Sequence, residues 1–573
     1  MYISKIKEIV NYRNLSGKSI EFNDKLNFLI GENNIGKTNV LELLNIFFSV
    51  GKFAESDFTS FNEPIEVKLT IVFDEDELGF FEDNFDIDDS NAITLIAKQD
   101  SIDERIYYYH DIPNLTKIST AVIRKMNILY YYAQRMPSKE LDFKKTNGSG
   151  KVLNYLIQHS LDNNEITEKN ILKKTKLESV IKDINRNIGH LNTATGDKVQ
   201  ACLDSDIVNI ISRMLGLGDE NGRKLDSLGE GIQYAFNILL QIIEIIYTTK
   251  ITRKPEDFEE RLIMKEEKKF FPLFLVLDEP EIHQHPYRQR NLVKKIKALM
   301  ENENQSFVDL LKELFGIDGL VGQIFIATHS PNILSNDYKQ FIRFFHQSSS
   351  DNGISIISGN SITLNDDMFK HLLRSYVYVK EAMFSKCILF VEGDTEFGAM
   401  PVIASRMSLD CDEKGIGIIK LDGANSVKRC MELYSKFEIK TIALIDQDKQ
   451  PEYKSLPRIN FTKGIDFEED IYDNFKFIDY VKYNYHVGGA DRFLNIFKHY
   501  NIPLDYSSNE FDLDSLEIDE DIQKLFMKEN KENELKEMRR SKNAVKASFM
   551  AEYVSKIPSS LKKVINKLKE EVK

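Results

Sequence analysis

Short apolar runs that end in acidic residues constrain the fold of this chain more than any other feature. Two of them, 387–391 and 441–445, lie in the last third of the sequence. The carboxylates that follow these runs are Glu392, Glu396, Asp446 and Asp448. A short apolar run is typical of a buried strand, and open α/β sheets bind ligands at the carboxyl ends of their strands. Carboxylates crowded there repel one another unless divalent cations lie between them, so the pattern predicts a Mg²⁺ or Mn²⁺ site.

The whole chain has 573 residues, which predicts roughly two or three domains. Its four cysteines are widely spaced, without a Cys-x-x-Cys pair, which argues against a zinc ribbon or a disulfide framework. A formal net charge of -14 argues against wholesale coating of nucleic acid, so a DNA-binding groove would have to be local. With no signal peptide and no membrane-length apolar run, we expect a soluble, cytoplasmic protein.

Residues 31–38 read Gly-Glu-Asn-Asn-Ile-Gly-Lys-Thr, which matches the phosphate-binding loop pattern. In this pattern backbone N–H groups wrap the phosphates, Lys37 meets the β/γ charge and Thr38 ligates Mg²⁺. The context agrees, because an apolar run at 26–30 precedes the loop and a helical stripe follows it. The alternative is a glycine-rich turn with no ligand. The predicted nucleotide-binding residues of this segment are Asn33, Gly36, Lys37, Thr38 and Asn39.

Two further apolar runs end in residues suited to nucleotide hydrolysis. The run 273–277 leads into Asp278, which would hold the Mg²⁺ hydration shell, and Glu279, which is placed as a catalytic residue that polarises the attacking water. The run 324–327 leads to His329, which is predicted to contact the γ-phosphate. The alternative for His329 is a helix-capping neighbour in a turn.

Between these runs, a small-residue turn at 227–233 opens an apolar helix at 234–247. Alone it is a weak signal, because glycine-rich helix starts are common. Taken in order with the other motifs, it resembles the ATPase heads of the ABC and SMC class. In that class the Ser-Gly signature of one head, here Ser227 and Gly229, closes over ATP held by another head, so the resemblance implies a homodimer.

The predicted fold is α/β, with an ABC/SMC-like P-loop ATPase head at 1–375 and a second domain at 376–573. The head carries an insert at about 140–223 that alternates charged and aliphatic residues with helical periodicity. We interpret this insert as a helical arm for dimer contact, with a solvated charged helix as the alternative. The second domain, with Glu392-Gly393 after one strand and Asp446-x-Asp448 after a later one, resembles the Toprim fold, a Rossmann-like parallel sheet.

The combination of a head-class ATPase with a Toprim domain, an extra glutamate at 396 and a late lysine resembles the OLD (overcoming lysogenization defect) nuclease family. That family includes the nuclease subunit of Gabija antiphage systems. The resemblance implies that one metal is held by Glu392, Asp446 and Asp448. It implies that the second metal is held by Glu396, Asp466 and Glu468.

The late lysine has two candidates in this family comparison. Lys546 would neutralise the scissile phosphate or the leaving oxygen, although Lys542 could take that role. Asp470 or Glu469 could likewise replace the assigned acids. The alternatives from residue chemistry are an acidic helix N-terminus at 466–470, favoured by the macrodipole, and a solvated basic helix face at 539–546.

The sequence therefore predicts an ATP-binding, metal-dependent endonuclease that acts on double-stranded DNA in antiphage defence. Phosphodiester hydrolysis is well served by two cations about 4 Å apart, which these carboxylates can supply. The rival class is a non-catalytic, ATP-gated sensor or scaffold whose Toprim domain binds DNA or a partner protein. The sequence does not decide the DNA preference, the trigger, the assembly size or the involvement of a helicase-like partner.

Overall fold

The computed structural model divides the chain into two compact units, Met1–Ser335 with Lys339–Asn360, and Asn336–Tyr338 with Ser361–Lys573. The structure describes residues 1–81, 85–86, 91–133, 137–163, 182, 207–218, 230–252, 254–282, 284–346, 353–364, 380–421, 423–502, 519–540 and 542–572. The predicted domain boundary at 375/376 lies outside these residues.

The strands of the described residues are β1 (Tyr2–Val10), β2 (Ile20–Glu21), β3 (Leu26–Gly31), β4 (Ile65–Val72), β5 (Ala92–Gln99), β6 (Tyr107–His110), β7 (Thr116–Ile118), β8 (Asn127–Tyr131), β9 (Ile263–Lys265), β10 (Lys268–Asp278), β11 (Gly319–Ala327), β12 (Phe341–His346), β13 (Ile354–Ser358), β14 (Cys387–Val391), β15 (Ile416–Lys420), β16 (Lys440–Ile445) and β17 (Ile459–Phe461).

The α-helices of the same residues are α1 (Lys37–Ser49), α2 (Thr120–Ile123), α3 (Pro137–Glu140), α4 (Ser149–Asn163), α5 (Ile207–Met214), α6 (Glu230–Ile251), α7 (Pro255–Glu259), α8 (Pro286–Met300), α9 (Gln305–Phe315), α10 (Asp394–Arg406), α11 (Val427–Ser435), α12 (Gln450–Tyr453), α13 (Phe467–Tyr472), α14 (Phe477–His499), α15 (Glu520–Lys524), α16 (Lys531–Arg540), α17 (Ala544–Tyr553) and α18 (Ser559–Glu571). Gly489 kinks α14 with a φ of 68°. None of these helices is both long and apolar enough to cross a membrane.

The first unit is built on two sheets. One is antiparallel with the order β2-β1-β4-β5-β6-β7, and the other has the order β13-β12-β3-β11-β10-β8, with β9 paired to β10. In the second sheet β12, β3, β11, β10 and β8 run parallel. All six residues of β3 are buried, Asn27 among them, as expected for a parallel strand covered on both faces. The parallel strands bring the ends of β3, β10 and β11 to one edge of the sheet.

The predicted helical insert is partly described, and its α4 packs against the head. Tyr155 of α4 stacks on Tyr247 of α6 with ring centroids 4.2 Å apart, and on Phe315 of α9 at 6.0 Å. Val152 and Ile157 on the same helix are buried. This part of the insert is therefore a packed helix rather than a solvated one. Its role in dimer contact stays a prediction.

The second unit contains a four-stranded parallel sheet with the order β15-β14-β16-β17. The chain leaves β14 toward β15 on one side and leaves β16 toward β17 on the other. Neighbouring strands with connections in opposite directions form a crevice at their carboxyl ends, where open α/β sheets bind ligands. The crevice between β14 and β16 receives the acidic residues that follow both strands.

Candidate functional site

The phosphate-binding loop connects β3 to α1, and the backbone at two of its positions requires glycine. Gly31 has a φ of 141°, and a Cβ atom there would lie 2.3 Å from the Phe344 carbonyl oxygen of the neighbouring strand β12. Gly36, with a φ of 108°, is the residue before α1. Both conformations favour glycine, because a side chain would be strained in that region. The loop thus presents backbone N–H groups at the start of a helix, where phosphate binding is favourable.

Lys37 lies inside this loop and is largely buried. Its Nζ donates hydrogen bonds to the carbonyl oxygens of Gly31, at 3.0 Å, and Glu32, at 2.6 Å. Burial lowers the pKa of Lys37 to about 8, although Glu279 and Asp278 act in the opposite direction. The ammonium group is therefore held where an anion entering the loop would meet it.

Asp278 ends β10, Glu279 follows it, and both line the cleft beside the loop. Thr38 Oγ1 donates to Asp278 Oδ1 at 3.3 Å, which joins the two predicted Mg²⁺-holding groups. Burial and the neighbouring Glu279 raise the pKa of Asp278 to about 6. Glu279 has a left-handed φ of 46°, fixed by a hydrogen bond of 2.9 Å from its N–H to the Ala327 carbonyl oxygen. A non-glycine residue in this conformation is strained, and such strain concentrates at functional sites.

His329 completes this group, since its Nε2 lies 3.6 Å from Glu279 Oε1. Burial and the nearby Lys37 lower the pKa of His329. A cleft of about 510 Å³ is lined by Asn33, Asn34, Ile35, Gly36, Lys37, Thr38, Asn39, Asp278, Glu279, Ala327 and His329. The structure therefore brings the predicted nucleotide-binding residues of three strand ends into one cleft. Ser227 and Gly229 lie outside the described residues.

At the β14–β16 crevice, Glu392 and Asp446 are directly linked. The Asp446 N–H donates to Glu392 Oε2 at 3.2 Å, and Asp446 Oδ1 accepts from the Phe467 N–H at 3.1 Å. Burial, followed by the charges of Glu396 and Glu392, raises the pKa of Asp446 to about 8. The first turn of α13 thus closes over the ends of β14 and β16.

Glu396 is buried at the start of α10, where it accepts a 2.9 Å hydrogen bond from the Gly393 N–H. Burial and the neighbouring Glu468 raise the pKa of Glu396 to about 7. Glu468 is fully buried and accepts from Thr395 Oγ1 at 2.9 Å and from Lys542 Nζ at 2.8 Å. Carboxylates from two helices and two strand ends therefore share one poorly solvated region.

Asp466 occupies the edge of this region. Arg539 holds it through two hydrogen bonds, Nε to Oδ2 at 2.7 Å and NH2 to Oδ1 at 2.9 Å. Asp466 also caps α13 by accepting from the Glu469 N–H at 3.0 Å. Burial acts against ionisation, but the Arg539 guanidinium and this backbone bond leave the pKa of Asp466 lowered. The helix-capping alternative thus describes a contact that Asp466 makes, and its role as a metal ligand stays a prediction.

The remaining candidate residues have contacts outside the acidic cluster. Asp448 is half exposed and lies 3.6 Å from Lys449 Nζ. Glu469 pairs with Lys531 at 2.9 Å, and Asp470 accepts from the Lys463 N–H at 2.9 Å. These contacts give Glu469 and Asp470 structural roles.

The two candidate lysines differ in position. Lys546 lies in the first turn of α17, where its backbone N–H donates to the Asn543 side chain at 2.8 Å. Lys542, by contrast, contacts the acidic cluster through Glu468. Lys542 thus contacts the acidic cluster, and which of the two lysines serves the site stays a prediction.

Sequence reasoning did not single out Arg539 or Thr395, although both contact predicted site residues. Arg539 lies 73 positions from Asp466, so no local spacing connects them. Gly398 in α10 was also missed. A Cβ atom there would lie 2.0 Å from the Ala544 carbonyl oxygen, so glycine permits the close approach of α17, which follows Lys542.

The chemistry of this donor set fits a hard divalent cation. Carboxylate oxygens are the preferred ligands of Mg²⁺ and Mn²⁺, and the raised pKa values of Glu396 and Asp446 reflect charge that a cation would offset. As the side chains stand, no group of three or more His, Cys, Asp or Glu within the described ranges is arranged to hold a metal ion. Side-chain movement would have to accompany metal binding.

Two family models match the chain. Residues 26–335 match the family described as "AAA domain, putative AbiEii toxin, Type IV TA system". Residues 383–448 match "Overcoming lysogenization defect protein-like, TOPRIM domain". The first match contains the residues that line the cleft, and the second contains Glu392, Glu396, Asp446 and Asp448 but ends before Glu468 and Lys542.

Curated relatives match over a short segment. The DNA replication and repair protein RecF of Francisella tularensis subsp. novicida is 44% identical over 48 residues, which are 8% of this chain and 13% of that protein. The chain thus spans 13% of the length of this relative.

Solved structures resemble each part of the chain at low identity. The SMC head bound to the C-winged helix domain of ScpA has a TM-score of 0.32 and 16% identity, covering 62% of this chain and 98% of that one. The C-terminal region of the Burkholderia pseudomallei OLD protein has a TM-score of 0.23 and 14% identity, covering 33% and 100%.

The family models confirm the predicted combination of an ATPase head and an OLD-like Toprim domain. Because the AAA domain match extends over more than half of the 573 residues, the chain belongs to that AAA domain family and joins its ATPase domain to an OLD-like Toprim domain.

Proposed function

We propose that this protein is an ATP-binding, divalent-metal-dependent DNA endonuclease, with the Toprim unit as its nuclease and the ATPase unit as its regulator. The observation that carries the proposal is the convergence of Glu392, Glu396 and Asp446 with Glu468 and Lys542 at the β14–β16 crevice. A protein that only binds DNA would gain nothing from buried acids in its groove, because phosphates repel them. Antiphage defence in the cytoplasm is the setting that we propose.

Glu392, Asp446 and Asp448 would hold one cation, and Glu396, Asp466 and Glu468 the other. Paired divalent cations supply an activated water and stabilise the leaving oxygen of a phosphodiester. Lys542 would neutralise phosphate charge, since its Nζ already lies among the acids at 2.8 Å from Glu468 Oε2. We therefore assign that role to Lys542 rather than to Lys546.

In the ATPase unit, Lys37 would meet the β/γ-phosphates while Thr38 and Asp278 hold Mg²⁺. Glu279 and His329 also line the cleft, where Glu279 would polarise the attacking water. ATP would govern conformation or access to DNA.

We also propose that the chain forms a homodimer, in which the turn at 227–233 completes the ATP site of a second copy. A strict monomer in light scattering with ATP bound would contradict this.

The test is cleavage of plasmid DNA by the purified protein with Mg²⁺ or Mn²⁺, with and without ATP. Wild-type protein should nick plasmid and lose this activity in EDTA, whereas Asp446→Ala should fall to background. The matched control is Asp394→Ala, which removes an exposed acid of α10 that pairs with Lys420, and it should cut near the wild-type rate. Equal cutting by Asp446→Ala and wild type would rule out the nuclease proposal.

One observation favours the rival function, a non-catalytic ATP-gated DNA sensor. Arg539 and Lys542 already pair with Asp466 and Glu468, and within the described residues no group of three or more His, Cys, Asp or Glu is arranged to hold a metal. Such a protein would bind plasmid without cutting it at any metal concentration. The plasmid assay therefore separates the two functions.

A further inference from the structure

Glu281, two residues after Glu279, bridges the ends of two strands beside the ATP cleft. Its Oε1 accepts a 2.7 Å hydrogen bond from Thr328 Oγ1 and a 2.8 Å hydrogen bond from the His329 N–H. Its Oε2 is buried and has no hydrogen-bond partner among the described residues. The carboxylate thus reaches from the segment after β10 to the segment after β11.

The other end of this bridge is anchored in the core of the sheet. Thr328 is fully buried, and its N–H donates to the Leu29 carbonyl oxygen of β3 at 3.2 Å. The Glu279 N–H donates to Ala327 of β11 at 2.9 Å. The ends of β3, β10 and β11 are therefore linked, and Glu281 is the side chain of this linkage that contacts the backbone of His329.

Two outer contacts join the same segment to α8. Ser330 Oγ donates to Gln289 Oε1 at 2.6 Å, and Arg290 NH1 donates to Asn332 Oδ1 at 3.0 Å. These contacts would keep the segment attached to the helix if Glu281 were replaced. Loss of the Glu281 contact should then alter the placement of His329 rather than release the whole segment.

The placement of His329 matters because its imidazole lies 3.6 Å from Glu279 Oε1, in the cleft that Lys37 also lines. A misplacement of about 1 Å in a reacting group can reduce a rate by about 10²-fold. One carboxyl oxygen, Oε1, accepts from both the Thr328 hydroxyl and the His329 N–H, so it ties the two donors to one point. Glu281 is thus suited to fix the His329 backbone in a single position.

We infer that Glu281 is a positioning residue for ATP hydrolysis, which acts by holding His329 against the phosphates through Thr328 and the His329 backbone. This inference rests on the proposed role of His329 at the γ-phosphate. Glu281 acts through Thr328 and His329 and does not need to contact ATP. Its loss should lower kcat while ATP affinity is retained, as expected when an interaction used mainly in the transition state is removed.

The experiment measures kcat for ATP hydrolysis and Kd for ATP in Glu281→Ala and Thr328→Val. Each variant should lower kcat by about 10-fold or more and change Kd by less than about 3-fold, within the loss that misplacement can cause. Glu281→Gln and Thr328→Ser keep an acceptor and a hydroxyl, so both should recover most of the activity. Asn332→Ala, which breaks only the outer contact with Arg290, serves as the control for structure and should hydrolyse ATP near the wild-type rate.

A double-mutant comparison separates this inference from the proposal beneath it. Glu281→Ala should cause no further loss in a His329→Ala background, because the residue that it positions is already gone. If His329→Ala alone leaves hydrolysis unchanged, the proposed role of His329 fails and the inference falls with it. If His329→Ala is impaired but Glu281→Ala and Thr328→Val are not, the positioning role of Glu281 is overturned. The same holds if the losses from Glu281→Ala and His329→Ala add in the double variant. In both cases the proposed role of His329 at the γ-phosphate stands. Should Glu281→Ala fail to fold, Thr328→Val decides alone.

Discussion

The ATP cleft and the acidic crevice are both built at the carboxyl ends of parallel strands, but they obtain their positive charge differently. In the cleft, Lys37 belongs to the loop that it serves and donates to two carbonyl oxygens of that loop. In the crevice, the cations Arg539 and Lys542 come from the region of α16 and contact acids more than 70 positions earlier in the chain. The positive charge of the cleft is therefore local in sequence, whereas that of the crevice depends on how the C-terminal helices pack.

A second difference concerns the inner acids. In the cleft, Asp278 accepts a hydrogen bond from the Thr38 hydroxyl, and its pKa is raised to about 6. In the crevice, Asp446 accepts from a backbone N–H, and its pKa is raised to about 8. Burial is the largest cause in both cases. Neighbouring carboxylates add to burial at both sites, so a cation would offset charge in each, and the difference in hydrogen-bond donor can be tested from both sides.

Glu279→Gln should have the largest effect on the cleft. Loss of the carboxylate that polarises water should lower ATP hydrolysis by about 10²–10⁴-fold, the usual range for a general base. ATP should still bind, since Lys37, Thr38 and Asp278 remain. Steady-state hydrolysis and nucleotide titration measure the two properties, and normal turnover by Glu279→Gln would move the catalytic role to another residue.

In the crevice, Lys542→Ala should slow plasmid nicking by about 10²-fold, because a charge aimed at the phosphate is lost. Lys546→Ala is the matched control, since it removes the same charge four residues away, on the first turn of α17, and should change the rate by less than about 3-fold. Nicking rates of the two variants, measured side by side at one ionic strength, decide the assignment. A larger loss in Lys546→Ala would restore that residue as the lysine of the site.

Gly398→Ala should have a smaller effect, confined to the crevice. The added methyl group would meet the Ala544 carbonyl oxygen, so α10 and α17 must separate. Overpacking of this kind costs about 1–3 kcal/mol of folding free energy. Gly353→Ala, at a position where a Cβ atom meets nothing within 4 Å, is the control. Equal unfolding temperatures for the two variants would show that the helix contact adapts without cost.

The cleft was the more predictable site, for a physical reason. Strand β3, the glycine loop and α1 are contiguous in sequence, so local spacing alone predicted their arrangement. The strands β14 and β16 were likewise predicted from their apolar runs, and the structure has them at Cys387–Val391 and Lys440–Ile445. The placement of Glu392 and Asp446 at the carboxyl ends of these strands followed directly from their positions in the sequence.

The cations of the crevice were less predictable. The stretch 539–546 reads as a basic helix face, and only tertiary packing distinguishes Lys542, which contacts Glu468, from Lys546. The same is true of Glu281, whose partners Thr328 and His329 lie on another strand end. Side chains that act across the fold leave no periodic pattern in the sequence.

The central claim is that the carboxylates of the β14–β16 crevice form a divalent cation site separate from the ATP cleft. The most direct test is Mn²⁺ binding, followed by calorimetry without ATP, to Lys37→Ala protein and to the same protein with Asp446→Ala added. Lys37→Ala should bind Mn²⁺ as wild type does, because its crevice is intact. The double variant should lose this binding, since a carboxylate oxygen that ligates the metal is gone. Unchanged Mn²⁺ affinity in the double variant would contradict the claim.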